Sequence, residues 1–600
     1  MRLNGTTKVA SLLPVPQAAP LVATAAWPVR SGLVPPLADR FSPRPETAPD
    51  LQLLLAGNAA VALTSPSVTS EARSGHDWAG CTGKTQLAAS YAEAQWRERA
   101  LDLLVWVDGS SSASMLSGYV AAAGALTGSQ VPGGAESVAA SFLSWLARTD
   151  RRWLVVLDDV ADSSELEGWW PAGPAGRVIV TTRQDQELAG LQDVPAVEVG
   201  PFSRREAMSY LVGRLSDHPD QRRGVIDLLQ YLDCQPPALA HATAVIASSW
   251  MTSTDYQEQF SQRSRALSAP GTPSPAAAGV TWTLCLDQAE QMMRGGSAGS
   301  CLALAALLDG HGIPAAIFAA AAACRYLTGD TTQEAREQVQ LTLTVLDQVG
   351  LISLDRASEP PLVRMDLALQ QAVRSALPPE TLDQAWRAAA AALVESWPSP
   401  EPGPLIGQGL RSAAVALRRA TGTRLLADGC HPLLLRAGQS LADASLTGPA
   451  VEYWSELTTV AGETFGPGSP ECLVTTDWLA AAFVSAGRVS EAVACYQREI
   501  VDCGRTYGPD DPRTLAVRLR LGRLLVTVRL FDEAVMVLTS AIGDLERARG
   551  LGARTPDPAE ARRLLAEAHQ GGGGRRARAA FAAAHSRSGR LARFGRNGSH

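Results

Sequence analysis

Ala79-Gly80-Cys81-Thr82-Gly83-Lys84-Thr85, running into the helical stretch QLAASYAEAQWRERA over 86–100, decides how this chain of 600 residues is read. Glycines let backbone N–H groups curl around a phosphate, Lys84 brings a cation to the β and γ charges, and Thr85 offers a hydroxyl to Mg2+. The start of the adjoining helix adds its positive end. A GKT tripeptide arises by chance in many loops, so its weight comes from the segments downstream of it. Trp153 to Val160 reads WLVVLDDV, an apolar strand that delivers Asp158 and Asp159 at its C-terminal end, where an open parallel sheet places its ligands. One of the two carboxylates then suits the magnesium shell and the other the orientation of a water. Taken alone, the Asp pair reads as a turn or helix cap; following a GKT at this distance, it reads as the functional pair. A further run, Arg177 to Thr182, ends at Arg183, a cation placed to sense a γ-phosphate or else an exposed surface arginine.

Working outward, β-branched runs at 60–64, 103–107, 153–157, 178–182 and 197–199 alternate with helical stretches and predict an α/β domain with a parallel sheet over 49–200. Residues 1–48, rich in Pro and Ala, read as a lead-in. PFSRREAMSYL, with Ser203 as cap and Glu206 three positions on, opens a helical domain over 201–267. SAPGTPSPAAA marks a linker at 268–278. Over 279–378, helices followed by short strands at 351–354 and 362–365 predict a winged helix, within which 315–324 reads as a core helix begun by Pro314. That stretch is too short to cross a bilayer. A helical connector fills 379–440. From 441 to 570 the chain repeats: Ala450, Ala492 and Ala534 recur at one fixed spacing, as do Pro470 and Pro512, and FGPGSPECL matches YGPDDPRTL. Paired amphipathic helices of this kind stack into a solenoid with a concave protein-binding groove. The Gly- and Arg-rich end, 571–600, reads as a disordered basic tail, either solvated or available to anionic partners.

The ordered set GKTQLA, LVVLDDV, VIVTTR, PFSRREA and Pro236-Pro237-Ala238-Leu239-Ala240 resembles the NB-ARC branch of the STAND signal-transduction ATPases, and the later units resemble kinesin-light-chain-type tetratricopeptide repeats (TPR), a combination similar to actinobacterial NB-ARC/TPR proteins. The resemblance covers about 50 to 570 and implies a multidomain chain: an α/β P-loop NTPase with a parallel sheet, a helical domain, a winged helix, then an all-α TPR solenoid. It implies ATP/ADP and Mg2+ as ligands. Gly80, Cys81, Thr82, Gly83, Lys84, Thr85 and Gln86 would hold the phosphates, Thr85 and Asp158 the metal. Asp159 would support hydrolysis, Arg183 would sense the γ-phosphate, and Pro236 would pack near the adenine and ribose.

Three departures from the family pattern stand out. Trp78 occupies a glycine position of the loop, behind an intervening stretch from Ser65 to Asp77. Cys234 stands where the proline motif has glycine. Val363-Arg364-Met365-Asp366 matches the winged-helix motif whose His contacts the ADP β-phosphate, with Asp366 in its place. An ionised carboxylate there repels phosphate and weakens an ADP-locked state; the other reading is a plain hairpin end.

Lys and Arg total 53 against 60 Asp and Glu, a net charge of −7, so no chain-wide basic field recruits nucleic acid or membrane. Nine cysteines without a CxxC pair point to reduced thiols in a cytoplasmic protein. The histidines show no metal or triad spacing, and His241 reads as a core residue. The leading function is a nucleotide-operated switch with slow hydrolysis that engages a protein through its repeats, with homo-oligomerisation on activation left open. The alternatives are a pseudo-ATPase scaffold and a winged-helix transcriptional regulator. The acidic face of 333–347 disfavours the last.

Overall fold

The computed structural model describes residues 21–38, 41–66, 82–128, 131, 133–182, 194–268, 277–293, 296–401, 403–550 and 558–571. They form two compact units, one running to residue 425 and including 432–446, the other comprising 426–431 and the chain from 447 onward.

The first unit is built on an all-parallel sheet of β1 (Val29–Ser31), β2 (Ala60–Thr64), β3 (Leu103–Asp108), β4 (Trp153–Val160), β5 (Gly176–Thr182) and β6 (Ala196–Glu198), in the order β1-β3-β4-β5-β2-β6. Strands covered on both faces read as continuous apolar runs rather than alternating ones, and Trp153 to Leu157 are all buried. On one face, Val61, Leu63, Val156 and Ile179 pack with Leu51 and Leu55 of α1 (Ala48–Gly57) and Leu87 and Ala92 of α2 (Lys84–Arg97). Each such side chain contributes about 1.5–3 kcal/mol when fully buried. α3 (Ser112–Thr127) packs on β3 and on α4 (Ala135–Leu146). Gly176 is required where β5 passes the Trp153 ring: a Cβ there would lie 1.9 Å from it.

Residues 29–31, within the segment read as a lead-in, join this sheet. Val29–Ser31 pairs in parallel with Leu103–Val105 as an edge strand. Three residues between prolines carry no readable period, so only the neighbouring strand reveals it.

α5 (Arg204–Arg214), α6 (Val225–Tyr231), α7 (Pro236–Ser249) and α8 (Ser253–Leu267) come after the sheet, with both bonds of the Ser203/Glu206 capping box formed. Next come α9 (Ala277–Met292), α10 (Ala298–Ala305), β7 (Ile313–Pro314), α11 (Ala321–Thr328), α12 (Gln333–Gln348), β8 (Ser353–Asp355), β9 (Leu362–Arg364) and α13 (Leu367–Ala376). The three short strands form an antiparallel sheet in the order β7-β9-β8. This corrects the helix expected over 315–324. Ile313–Pro314 pairs with β9, Ala315 N–H bonds Pro361 O at 2.9 Å, and the chain makes a short 3-10 turn before α11 starts at Ala321. Alanine propensity yields here to strand pairing.

α14 (Pro379–Ser396), α15 (Pro404–Thr421) and α16 (Pro432–Asp443) are more than a connector. α15 packs on α3, and the buried Arg411 donates to Ser440 Oγ at 2.7 Å and to Ser117 Oγ on α3 at 3.2 Å, with Glu401 3.4 Å away. The pairing is invisible in sequence because its members lie far apart along the chain.

The second unit is all helical: α17 (Thr447–Phe465), α18 (Pro470–Ser485), α19 (Val489–Thr506), α20 (Pro512–Thr527), α21 (Phe531–Gly550) and a helix over 558–571, with consecutive helices from α17 to α21 packed together. The repeated prolines have a structural reason. Pro470 and Pro512 each open a helix behind a side-chain cap, Ser469 accepting from Cys472 N–H and Asp511 from Arg513 N–H. The repeated alanines are buried, Ala492 and Ala534 completely, where the helices approach. The basic tail over 572–600 lies outside the described residues.

His241 on α7 is buried, with Nδ1 3.1 Å from Thr281 Oγ1 on α9. Burial pushes its imidazole down from 6.5 to about 4, against a backbone hydrogen bond involving Gly350 that acts upward. The folded pKa is below the unfolded one, so the neutral ring's contribution is complete above about pH 6.5 and is lost as pH falls toward about 4. At about 1.4 kcal/mol per pH unit the loss is roughly 3 kcal/mol. Urea titrations across this range should show that decline in the wild type and a flatter profile in His241→Asn; parallel profiles would mean that the fold accommodates the charged ring.

Candidate functional site

β2, β4 and β5 end side by side, and α2 begins above them. Gly83, at φ +94°, turns the chain into α2 through a left-handed conformation that a side chain disfavours. The first N–H groups of α2, on Lys84, Thr85 and Gln86, have no carbonyl of their own helix to bond. Lys84 is only 6% exposed, and its Nζ donates to Ser65 Oγ at 2.6 Å, Ser65 being the first residue after β2. Asp158 Oδ1 accepts from Thr85 Oγ1 at 2.8 Å and from Thr181 Oγ1 at 2.6 Å, and the Thr181 hydroxyl in turn accepts from Asp159 N–H at 2.8 Å. Burial raises the Asp158 pKa, while the Thr181 hydroxyl, the His311 charge and the Thr85 hydroxyl pull it down. Asp159 itself sits at φ +60°, an uncommon backbone for a residue with a side chain.

The structure therefore brings Thr82, Gly83, Lys84, Thr85, Asp158 and Asp159 to one end of the sheet. Gly80, Cys81, Trp78 and Arg183 lie outside the described residues. The Gln86 side chain does other work than expected: its Oε1 accepts from Ala38 N–H and its Nε2 donates to Pro36 O, fastening the 36–38 segment. Pro236 opens α7. It connects to the loop indirectly, through Cys234 O, which accepts from Phe202 N–H, and Phe202, whose ring lies under the Arg44 guanidinium. Cys234 adopts φ +53°, which is the reason a glycine suits that position. Asp366 is a helix cap, its carboxylate accepting from Ala368 and Leu369 N–H at the start of α13. One oxygen of its carboxylate, Oδ1, is thereby taken up by the start of the helix.

Several residues were not singled out by sequence. Arg44 is 4% exposed and braces the loop: Nη2 donates to Thr82 O at 2.5 Å and Nη1 to Gly200 O at 2.8 Å. More distant in sequence, the turn between α10 and β7 reaches β4. His311 Nε2 lies 3.2 Å from Asp159 Oδ2 and Nδ1 lies 2.9 Å from Asp309 Oδ1. Burial alone would lower the imidazole's pKa, but Asp309 and Asp159 outweigh it and hold the ring well above its ordinary value. Arg364 of β9 donates from Nη1 to His311 O at 2.7 Å, while its Nε and Nη2 are buried without a hydrogen bond to any of the described residues. Desolvation lowers the Arg364 pKa, opposed by Asp355, Asp158 and Asp309. Asp108, at the end of β3 in register with Asp158, accepts from Gln408 of α15 at 3.4 Å, and burial and Asp309 raise its pKa. Thr181 and Arg364 carried a sequence signal, as parts of VIVTTR and of Val363-Arg364-Met365-Asp366.

The donors present fit a magnesium-bound phosphate chain. A buried cation, the first turn of α2 and the buried Thr82 Oγ1, which has no hydrogen-bond partner among the described residues, suit anionic oxygen; the Thr85–Asp158 pair suits an oxygen-liking cation. Among the described residues no cluster of three or more His, Cys, Asp or Glu forms a self-sufficient metal site, and no helix is long and apolar enough to cross a membrane.

No protein-family model and no curated protein sequence matches the chain. Among solved structures it is similar to a Signal Transduction ATPase with Numerous Domains carrying a tetratricopeptide repeat sensor from Pyrococcus horikoshii, at 13% identity over 88% of this chain and 81% of that one, with a TM-score of 0.36. A putative kinesin light chain with TPR-like repeats from Podosopora anserina matches at 17% identity over 36% of this chain and 89% of that one, with a TM-score of 0.23. Cdc6p from Pyrobaculum aerophilum matches at 11% identity over 57% and 98%, with a TM-score of 0.25. At TM-scores this low the likeness does not establish a shared fold, and the chain's own geometry carries the functional argument.

Thr181→Val keeps the shape of the side chain but removes the hydroxyl that serves both Asp158 and the Asp159 N–H. A hydrogen bond to a charged, buried group is worth about 1.5–3 kcal/mol, so urea unfolding should show a loss of that order. A loss below about 0.5 kcal/mol, the level of an ordinary surface change, would mean that the threonine does not support Asp158.

Proposed function

We propose that the chain is a nucleotide-operated signal-transduction switch of the NB-ARC kind that binds ATP and ADP with Mg2+ and hydrolyses ATP slowly. The observation that carries this reading is the joining of Lys84, Thr85, Asp158 and Thr181 at the ends of β2, β4 and β5 beside the N-terminus of α2. Lys84 and the α2 N–H groups hold the phosphates, Thr85 and Asp158 hold the metal, and Asp159 orients water. The metal, when bound, neutralises charge on the phosphate oxygens.

In this reading 279–378 is the winged helix, supported by its helices and its three-stranded antiparallel sheet, and it registers the state of the site through His311 and Arg364. Arg183 remains the proposed γ-phosphate sensor and Pro236 the proposed neighbour of the base. ATP and ADP shift the equilibrium between arrangements of the first unit by their difference in affinity for them, which needs no rapid turnover. The repeats of the second unit engage a protein partner, and activation is the point at which copies of the chain would assemble.

Calorimetry with Mg-ATP and Mg-ADP tests the central claim. Lys84→Ala should weaken both by roughly ten- to a hundredfold, the value of a charge-assisted contact of about 1.5–3 kcal/mol. Equal affinities for wild type and variant, or no heat with either, would remove the reading in favour of a scaffold that has lost its nucleotide. Asp159→Asn should slow hydrolysis while leaving affinity within about twofold, because the carboxylate acts on water rather than on nucleotide. A binding loss as large as that of Lys84→Ala would reassign it.

A further inference from the structure

The second carboxylate of β4 is held by a residue from another part of the chain. The His311 ring lies between two carboxylates, with Asp159 Oδ2 3.2 Å from Nε2 and Asp309 Oδ1 2.9 Å from Nδ1. Carboxylates accept, so both ring nitrogens must donate, and the ring that satisfies both is the imidazolium.

The turn that presents this ring is held by three hydrogen bonds. His311 N–H donates to Asp309 Oδ1 at 3.1 Å, His311 O accepts from Arg364 Nη1 at 2.7 Å, and Met365 N–H bonds Gly310 O at 3.0 Å. Gly310 is required there, since a Cβ would lie 2.1 Å from Met365 O. Across the contact, Asp159 is fixed by its N–H bond to Thr181 Oγ1. The pair thus joins two segments, each held by its own hydrogen bonds.

We propose that His311 is a positioning residue through which the segment carrying β7 and β9 restrains hydrolysis: its ring occupies Asp159 Oδ2, so that oxygen is not available to an attacking water while the contact stands. This rests on the nucleotide reading above. In the restrained step the water oxygen would bond to the γ-phosphorus. The bond from that phosphorus to the bridging oxygen would break with its electron pair leaving on ADP, and the water's proton would pass to Asp159. A carboxylate oxygen already held by a donor is not available to orient the water. Withdrawal of the turn frees the oxygen, so hydrolysis is coupled to the arrangement of the first unit.

The test measures affinity and rate separately on the full chain: calorimetry with Mg-ATP, and single-turnover hydrolysis of radiolabelled ATP, for wild type, His311→Ala, His311→Gln and Asp309→Asn. Freeing a carboxylate from a charge-assisted contact predicts that His311→Ala binds within about twofold of wild type and hydrolyses roughly tenfold faster or more. His311→Gln, which keeps a donor without the charge, should fall between the two. Asp309→Asn, which removes the outer partner, should also accelerate the step and keeps the inference testable if His311→Ala does not fold. A purely structural clamp would change stability without this split between affinity and rate. Intact binding with an unchanged or slower rate overturns the role of His311 alone. Absence of Mg-ATP binding by the folded wild type overturns the nucleotide reading, and this inference with it.

Discussion

Burying a carboxylate costs several kcal/mol unless donors surround it. Asp158, 5% exposed at the end of β4, meets that cost with the hydroxyls of Thr85 and Thr181. The two donors come from opposite sides, one from the first turn of α2 and one from β5, so satisfying this one group fixes the helix against two strands. The Thr181 hydroxyl donates to Asp158 and accepts from the Asp159 N–H, which places the second carboxylate as a consequence of the first. Lys84 is bound to Ser65 at the end of β2 by the same logic, a buried cation with a polar partner. The chemistry available at the sheet end arises from these few contacts, while the apolar layers of α1 and α2 supply the rigidity behind them.

Other parts of the first unit reach this domain through polar side chains. The Asp309–His311 turn contacts Asp159, Gln408 contacts Asp108, and Arg411 joins α15 to α3. Arg44 ties Thr82 to the segment entering α5. Polar contacts of this kind are directional and individually modest, so they can be exchanged for others when a charged ligand alters the local field. An apolar interface of equal extent has no such dependence on the charge of its neighbours.

The helices of the second unit obey a different economy. Ala492 and Ala534 are buried where helices approach, and Pro470 and Pro512 start helices behind Ser469 and Asp511. Every unit repeats the same local solution, so the packing is decided mostly between neighbours in sequence. The arginines of α20 are drawn into the same scheme: Arg518 pairs with Asp544 and Arg520 with Asp477.

Sequence alone determined whatever depends on local pattern: the parallel strands from their apolar runs, the GKT turn into α2, the capping box at Ser203, the repeats from their spacing, and the delivery of Asp158 and Asp159 to a strand end. Those signals are local because strand burial, caps and turns depend on residues within a few positions of one another. Tertiary structure decided the rest. It made Val29–Ser31 a strand and Ile313–Pro314 another, because a two- or three-residue strand exists only through its partner. It assigned Asp366 to a helix N-terminus and Gln86 to the 36–38 segment, since a side chain's partner depends on what the fold brings within hydrogen-bonding reach. Above all it placed His311, which has no motif of its own, against a carboxylate that lies a whole domain earlier in the chain, and no reading of spacing carries that information.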